Sequence, residues 1–310
     1  MVSERPGVVS ERPRVVYVMG AGRSGSTILG VTLGNCENVF YAGELDKWLL
    51  RSGLPKLDDP ERTRFWRAVR DDVDCPDELF GGRAHRRLER SSSLLRIREW
   101  PARRRLRPRY RRFAEDLYRA IARAANATHI VDTSHYPLRA RELQGLDGVD
   151  VYLVFLVRDP QSVVASFSRD DVPERRFGTY RTNAYLWLTH LLSVFVFLRH
   201  RRDRRVLLRY EDFVADPEGV LRDILDRVGC DAAIPDLTFL RTGLPLHGNR
   251  LISSEVVSLE RDAAAPRRSR VTALLQLPSA AALSRLRPTA KASPSPGRTA
   301  TVRADVATPR

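Results

Sequence analysis

Cysteine, lysine and long apolar runs are all scarce in this chain of 310 residues, and each scarcity removes a class of protein. The three cysteines, Cys36, Cys75 and Cys230, are odd in number and far apart, with no C-x-x-C pair and no histidine at metal-ligand spacing. A disulfide framework and a structural zinc site are therefore not expected. No apolar stretch reaches the roughly 20 residues of a bilayer span. The polar N-terminus also lacks the run of about 7 to 15 apolar residues that a secretory signal needs, so a cytoplasmic location is expected. Lysine supplies only three of the 53 basic residues, so the arginine excess says little about arginine-specific chemistry.

What is present suffices for a full core: 43% of the residues are hydrophobic and 8% aromatic, which excludes disorder throughout. The net charge of +15 is uneven. Gly81 to Arg112 holds thirteen arginines against Glu89 and Glu99, and Arg261 to Arg310 holds ten basic residues against Asp262 and Asp305. The remaining chain is close to neutral. A near-neutral body with two basic appendages differs from a nucleic-acid reader, whose positive face belongs to the folded domain itself.

Residues 1–13 contain VSERP twice and read as a flexible leader. Arg14 begins RVVYVMG, a β-branched run ending in glycine, as a buried parallel strand would. Similar runs recur at His129 to Val131, Val151 to Val157 and Arg205 to Leu208. Helical segments lie between them at Arg112 to Ala125, Gln161 to Ser168, Thr179 to Arg199 and Pro217 to Val228. This alternation predicts an α/β fold with a central parallel sheet. Ala184 to Leu198, the most apolar segment, is too short for a bilayer and reads as a buried helix. The arginine-rich stretch 83–112 reads as a helical insertion whose charged face meets an acidic partner or a lipid surface, or else as a solvated excursion. Residues 261–310 read as a basic, low-complexity C-terminal tail, disordered at its end.

Gly20 to Thr27, GAGRSGST, follows the first strand and precedes the apolar helix ILGVTLG. Glycines let such a loop fold into an anion nest, and the amides and dipole of the next helix face a phosphate. Ser26 stands where a nucleotide hydrolase has its lysine, and the cation is Arg23, inside the loop. A second strand, Val151 to Val157, leads into RDPQSVVAS, which places Arg158 at a strand end and Ser166 on the following helix. A guanidinium fork and a hydroxyl so placed can grip one phosphate from two sides.

These two motifs resemble those of the sulfotransferases that use 3′-phosphoadenosine 5′-phosphosulfate, especially the bacterial branch related to the carbohydrate and tyrosylprotein enzymes. The resemblance runs from Arg14 to about Glu260, so the domain is taken as 14–260. It implies a P-loop-containing three-layer fold. It puts Arg23, Ser24, Gly25, Ser26 and Thr27 on the 5′-phosphosulfate, and Arg158 and Ser166 on the 3′-phosphate. The block LLRYEDFVADPEGVLRDIL resembles the family's late strand and helix, which implies Tyr210 near the adenine. HGNR at His247 to Arg250 resembles the loop that returns Arg250 to the 3′-phosphate.

In-line transfer to a hydroxyl or amine needs a group that takes the acceptor's proton. Glu44, in VFYAGELDKW, resembles the base of the related enzymes; a helix-terminal carboxylate is the other reading. Where the family commonly has Asp-Ser-Ser-Lys, this chain has Asp132, Thr133, Ser134 and His135, so His135 becomes a donor to the sulfuryl group or a rival base. No metal is expected. The implied acceptor is a carbohydrate, glycolipid or small molecule. A P-loop small-molecule kinase is the alternative function, although it should carry the loop lysine and a Mg²⁺ carboxylate and neither is evident beyond Asp132; a nucleic-acid-binding protein ranks third.

Overall fold

The computed structural model describes residues 12–57, 59–168, 178–259, 269–284 and 286. The leader up to residue 11 and the end of the basic tail from residue 287 lie outside the described residues.

Five parallel strands form the central sheet: β1 (Arg14–Gly20), β2 (Val39–Gly43), β3 (His129–His135), β4 (Asp150–Val157) and β5 (Arg205–Arg209). Their order across the sheet is β2-β3-β1-β4-β5. β1 sits in the middle, paired on both sides over Arg14 to Val16 and beyond, which is why it is apolar at almost every position. Its alternate residues feed two cores. Val16 and Val18 meet α1 (Ser26–Gly34), α8 (Tyr210–Ala215) and α9 (Pro217–Val228). Val15, Tyr17 and Met19 meet α4 (Trp100–Ala125), α5 (Pro137–Leu143) and α7 (Gly178–Arg199). Helix, sheet and helix give the three layers that the family resemblance implies, around the parallel sheet expected from the βαβ pattern.

The remaining helices are short: α2 (Trp48–Arg51), α3 (Pro60–Asp71), α6 (Pro160–Phe167), α10 (Arg270–Leu275) and α11 (Leu277–Ser284). α10 and α11 show that the first part of the basic tail packs on the body. The Gln161 side chain exchanges two hydrogen bonds of 2.9 Å with the Ser269 backbone, and Gln276 donates to Asn183 of α7. A two-stranded pair, β6 (Leu240–Arg241) with β7 (Val256–Val257), brackets the HGNR loop.

The arginine-rich stretch is helical over much of its length, and several of its arginines meet carboxylates of this same chain. Arg103, Arg107 and Arg111 of α4 converge on Glu142 of α5, which is fully buried. Leu88, Leu106 and Tyr110 from the same stretch are buried in the core. One expectation holds for one face only. α7 buries Leu186, Val196 and Phe197 with Thr182, Asn183, Thr189, His190 and Ser193, while Tyr180, Trp187, Phe195 and Leu198 are exposed.

Candidate active site

In a parallel sheet every strand ends at the same edge, and here each of the five ends on a candidate. β2 leads into Glu44, β3 ends on His135, β1 runs into the glycine loop, β4 leads into Arg158 and β5 into Tyr210. The sheet order arrays them as Glu44, His135, loop, Arg158, Tyr210, about 4.8 Å per strand.

The loop is shaped by close packing. A Cβ at Gly20 would stand 2.2 Å from the Leu156 carbonyl oxygen of β4, and one at Gly25 would stand 2.3 Å from the Tyr210 ring. Gly25, at φ 95°, begins α1 with no side-chain cap and no acidic residue in the first turn, so the helix N-terminus is left to an outside anion. Arg23 takes the left-handed conformation, φ 67°, which a side chain adopts at some cost. The Gly22 amide donates to the Tyr185 hydroxyl at 2.9 Å, which ties the loop to α7. Ser24 is 1% exposed and its hydroxyl has no hydrogen-bond partner among the described residues. Ser26 is half-buried, whereas Thr27 is buried.

Arg158 lies against the loop. One guanidinium nitrogen donates to the Arg23 carbonyl at 3.3 Å, and the group stacks on the Tyr210 ring with its carbon 4.3 Å from the centroid. The neighbouring Asp159 instead caps α6, accepting from the amide and hydroxyl of Ser162. Arg158 thus has no carboxylate partner among the described residues. Ser166 is half-buried on α6, and Arg250 is exposed at the start of the turn Arg250–Ser253.

On the other flank, Glu44 is clasped by the HGNR loop. Its amide donates to the His247 carbonyl at 2.9 Å, and its carboxylate accepts from His247 Nδ1 at 2.9 Å. Burial would raise the Glu44 pKa, but the His247 hydrogen bond, with the nearby His135 and Lys47, holds it down at about 2. His135 adopts φ 55°, and burial lowers its pKa although Glu44 and Asp46 pull the other way. Glu44 is therefore an anion and His135 neutral near pH 7.

Three residues at the site have no counterpart in the sequence reading. His247 was passed over for Arg250 in the same motif, and its partner is 203 residues away. Tyr185 gave no local signal. Lys47 bonds Asp46 at 2.7 Å and lies 5.9 Å from the Tyr136 ring centre, so a cation stands near position 135 although the lysine expected there is absent. Burial disfavours the Lys47 charge, but Asp46 and Tyr136 more than restore it, raising its pKa.

Asp132 does not serve as a metal carboxylate. One oxygen accepts from the amide and hydroxyl of Ser134, the other from Tyr118 at 2.6 Å and Arg139 at 3.1 Å. Arg139 bridges it to Glu89, and all three side chains are buried.

Comparison with known proteins bears on the fold and the family. A sulfotransferase domain of the Synechococcus PCC 7002 olefin synthase is 20% identical, with a TM-score of 0.53 over 90% of this chain and 97% of that one. A sulfotransferase domain from the curacin biosynthetic pathway is 18% identical, at a TM-score of 0.47 over 81% and 86%. A sulfotransferase from Alicyclobacillus acidocaldarius is 16% identical, at 0.41 over 88% and 95%. At such identities the olefin synthase domain speaks for the fold, and the two lower scores add no argument. No curated protein matches the chain. The model of the sulfotransferase family matches residues 13–234, which take in the glycine loop, Glu44, His135, Arg158 and Tyr210, and the chain belongs to that family.

Proposed function

We propose that the protein transfers a sulfuryl group from 3′-phosphoadenosine 5′-phosphosulfate to a hydroxyl or amine of a carbohydrate, glycolipid or small-molecule acceptor. The observation that carries this reading is the contact of Arg158 with the Arg23 carbonyl: a guanidinium with no carboxylate partner among the described residues abuts an uncapped helix N-terminus. The residues fit such a donor. The buried, unpartnered Ser24 hydroxyl and the α1 amides would hold the 5′-phosphosulfate, and Arg158 the 3′-phosphate. The bound donor supplies an electrophilic sulfur and a phosphate leaving group.

The chain's own part is to position and to move one proton. Arg23 and the α1 amides stabilise the negative charge that grows on the departing phosphate. Glu44, ionised and oriented by His247, takes the acceptor's proton as the new bond to sulfur forms. A kinase would need the loop lysine and a free metal carboxylate, and Asp132 is committed elsewhere. Calorimetry with 3′-phosphoadenosine 5′-phosphate and with ATP tests the reading: the bisphosphate should bind tighter, and tighter ATP binding would overturn it.

A further inference from the structure

α7 is apolar on two sides: Leu186, Val196 and Phe197 join the core, and a second apolar face is left outside it. Tyr180, Ala184, Trp187, Leu191, Phe195 and Leu198 recur at steps of three and four residues and form one stripe about 27 Å long at 1.5 Å per residue. Four of them are large and exposed, from 39% at Trp187 to 72% at Tyr180. The stripe widens where α10 and α11 pack beside it, because Leu274 and Leu277 are 68% and 59% exposed. Between the helices lies an open, mainly apolar groove of about 310 Å³ whose walls include Tyr180, Trp187 and Leu275. Scattered exposed apolar residues need no explanation, but a continuous face marks an interaction site.

Charge identifies the partner. Neither α7, α10 nor α11 contains an acidic residue, while Arg181, Arg199 and Arg270 are exposed on these helices. The Arg199 guanidinium folds over the Phe195 ring at 3.9 Å, leaving its charge at the margin of the apolar face. A second copy of the chain docking through this face would oppose arginine to arginine, since a two-fold interface pairs a patch with itself. No helix among the described residues is long and apolar enough to cross a membrane. An apolar, aromatic stripe on helices whose own charged residues are all cations suits a helix lying in the plane of an anionic bilayer surface.

We propose that the outer face of α7, with α10 and α11, seats the protein on an anionic lipid surface. The face is separate from the arginine-rich stretch of α4, part of whose charge Glu142 already meets within the chain.

The test is sedimentation of the full chain with vesicles of phosphatidylcholine alone or mixed with phosphatidylglycerol. Binding is expected to the mixed vesicles and to be at least tenfold weaker to the neutral ones. The double variant Trp187→Gln/Phe195→Gln should bind the mixed vesicles at least tenfold more weakly, with an unchanged far-ultraviolet spectrum. The double variant Arg181→Glu/Arg270→Glu, which leaves the apolar stripe whole, should lose binding as well. In a Trp100→Phe background, where Trp187 is the remaining exposed indole, the emission should shift to the blue on adding mixed vesicles. Three outcomes would overturn the proposal: no binding to either vesicle, binding that survives both double variants but disappears when the exposed Arg98, Arg104 and Arg105 are neutralised, or a self-association in ultracentrifugation that Trp187→Gln/Phe195→Gln abolishes while vesicle binding is untouched.

Discussion

Tyr210 is held between Gly25 and Arg158: one side of its ring fills the space a Cβ at Gly25 would take, and the Arg158 guanidinium lies 4.3 Å from its centroid. A single ring thereby sets the distance between the glycine loop and the guanidinium assigned to the 3′-phosphate. Tyr210→Leu should keep the packing but lose the cation–π contact, weakening 3′-phosphoadenosine 5′-phosphate by about 1 kcal/mol in calorimetry. Arg158→Ala should cost about 2 to 5 kcal/mol, the range for a removed charged contact.

Glu44→Gln should slow single-turnover sulfate transfer by roughly a hundredfold or more while leaving donor affinity nearly unchanged. The acceptor for the assay would be one recovered from cell extract by its added sulfate mass. His135→Asn is the control: a larger loss there than in Glu44→Gln would make the histidine the base.

The pH profile separates the same two residues. With its pKa held at about 2, Glu44 stays ionised through the working range and should give no acidic limb above about pH 3. His247→Ala removes the hydrogen bond that lowers it and leaves the burial that raises it. The rate of that variant should therefore fall at a higher pH than the parent's as the medium is made acidic.

Glu142→Gln should be among the most destabilising single changes in the chain. Arg103, itself 6% exposed, would lose its anionic partner, and a buried ion pair broken on one side costs about 3 to 5 kcal/mol. Neutralising the exposed Arg104 and Arg105 should change the unfolding free energy measured in urea by less than about 0.5 kcal/mol each.

His190 predicts a second pH effect, on stability. Burial lowers its pKa from 6.5 to about 4, and neither ring nitrogen has a partner among the described residues. The unfolded chain binds this proton more readily, so stability should fall as pH drops from about 6.5 towards 4. The shift is worth roughly 3 kcal/mol. His190→Leu should flatten that part of the denaturation profile, and an unaltered slope would refute the assignment.

Local order was legible in the sequence where one stretch of chain decides it. RVVYVMG at Arg14–Gly20 and the helix Pro217–Val228 fall where the β-branched run and the apolar periodicity place them. The glycine loop and the strand-end Arg158 were equally plain, because strand, loop and helix are contiguous there. Pairings across the chain were not. Nothing near Glu44 announces His247, and nothing in the arginines of α4 announces that Glu142 of α5 will meet them. Hydrophobicity showed how apolar α7 is, but which of its apolar residues are covered depends on its neighbours, and those include Gln276 of the tail, which donates to Asn183.

Because each strand contributes one residue to a single edge, the site is assembled from segments that start at Gly20 and end at Tyr210, with His247 reaching back from beyond them. No hairpin or local helix pair contains even half of it. Parallel strands close long loops before their contacts form, so such sheets come together slowly. Regained activity in refolding should therefore lag behind helical signal and coincide with the last strand to dock, and a chain halted before β5 should be inert whatever secondary structure it holds.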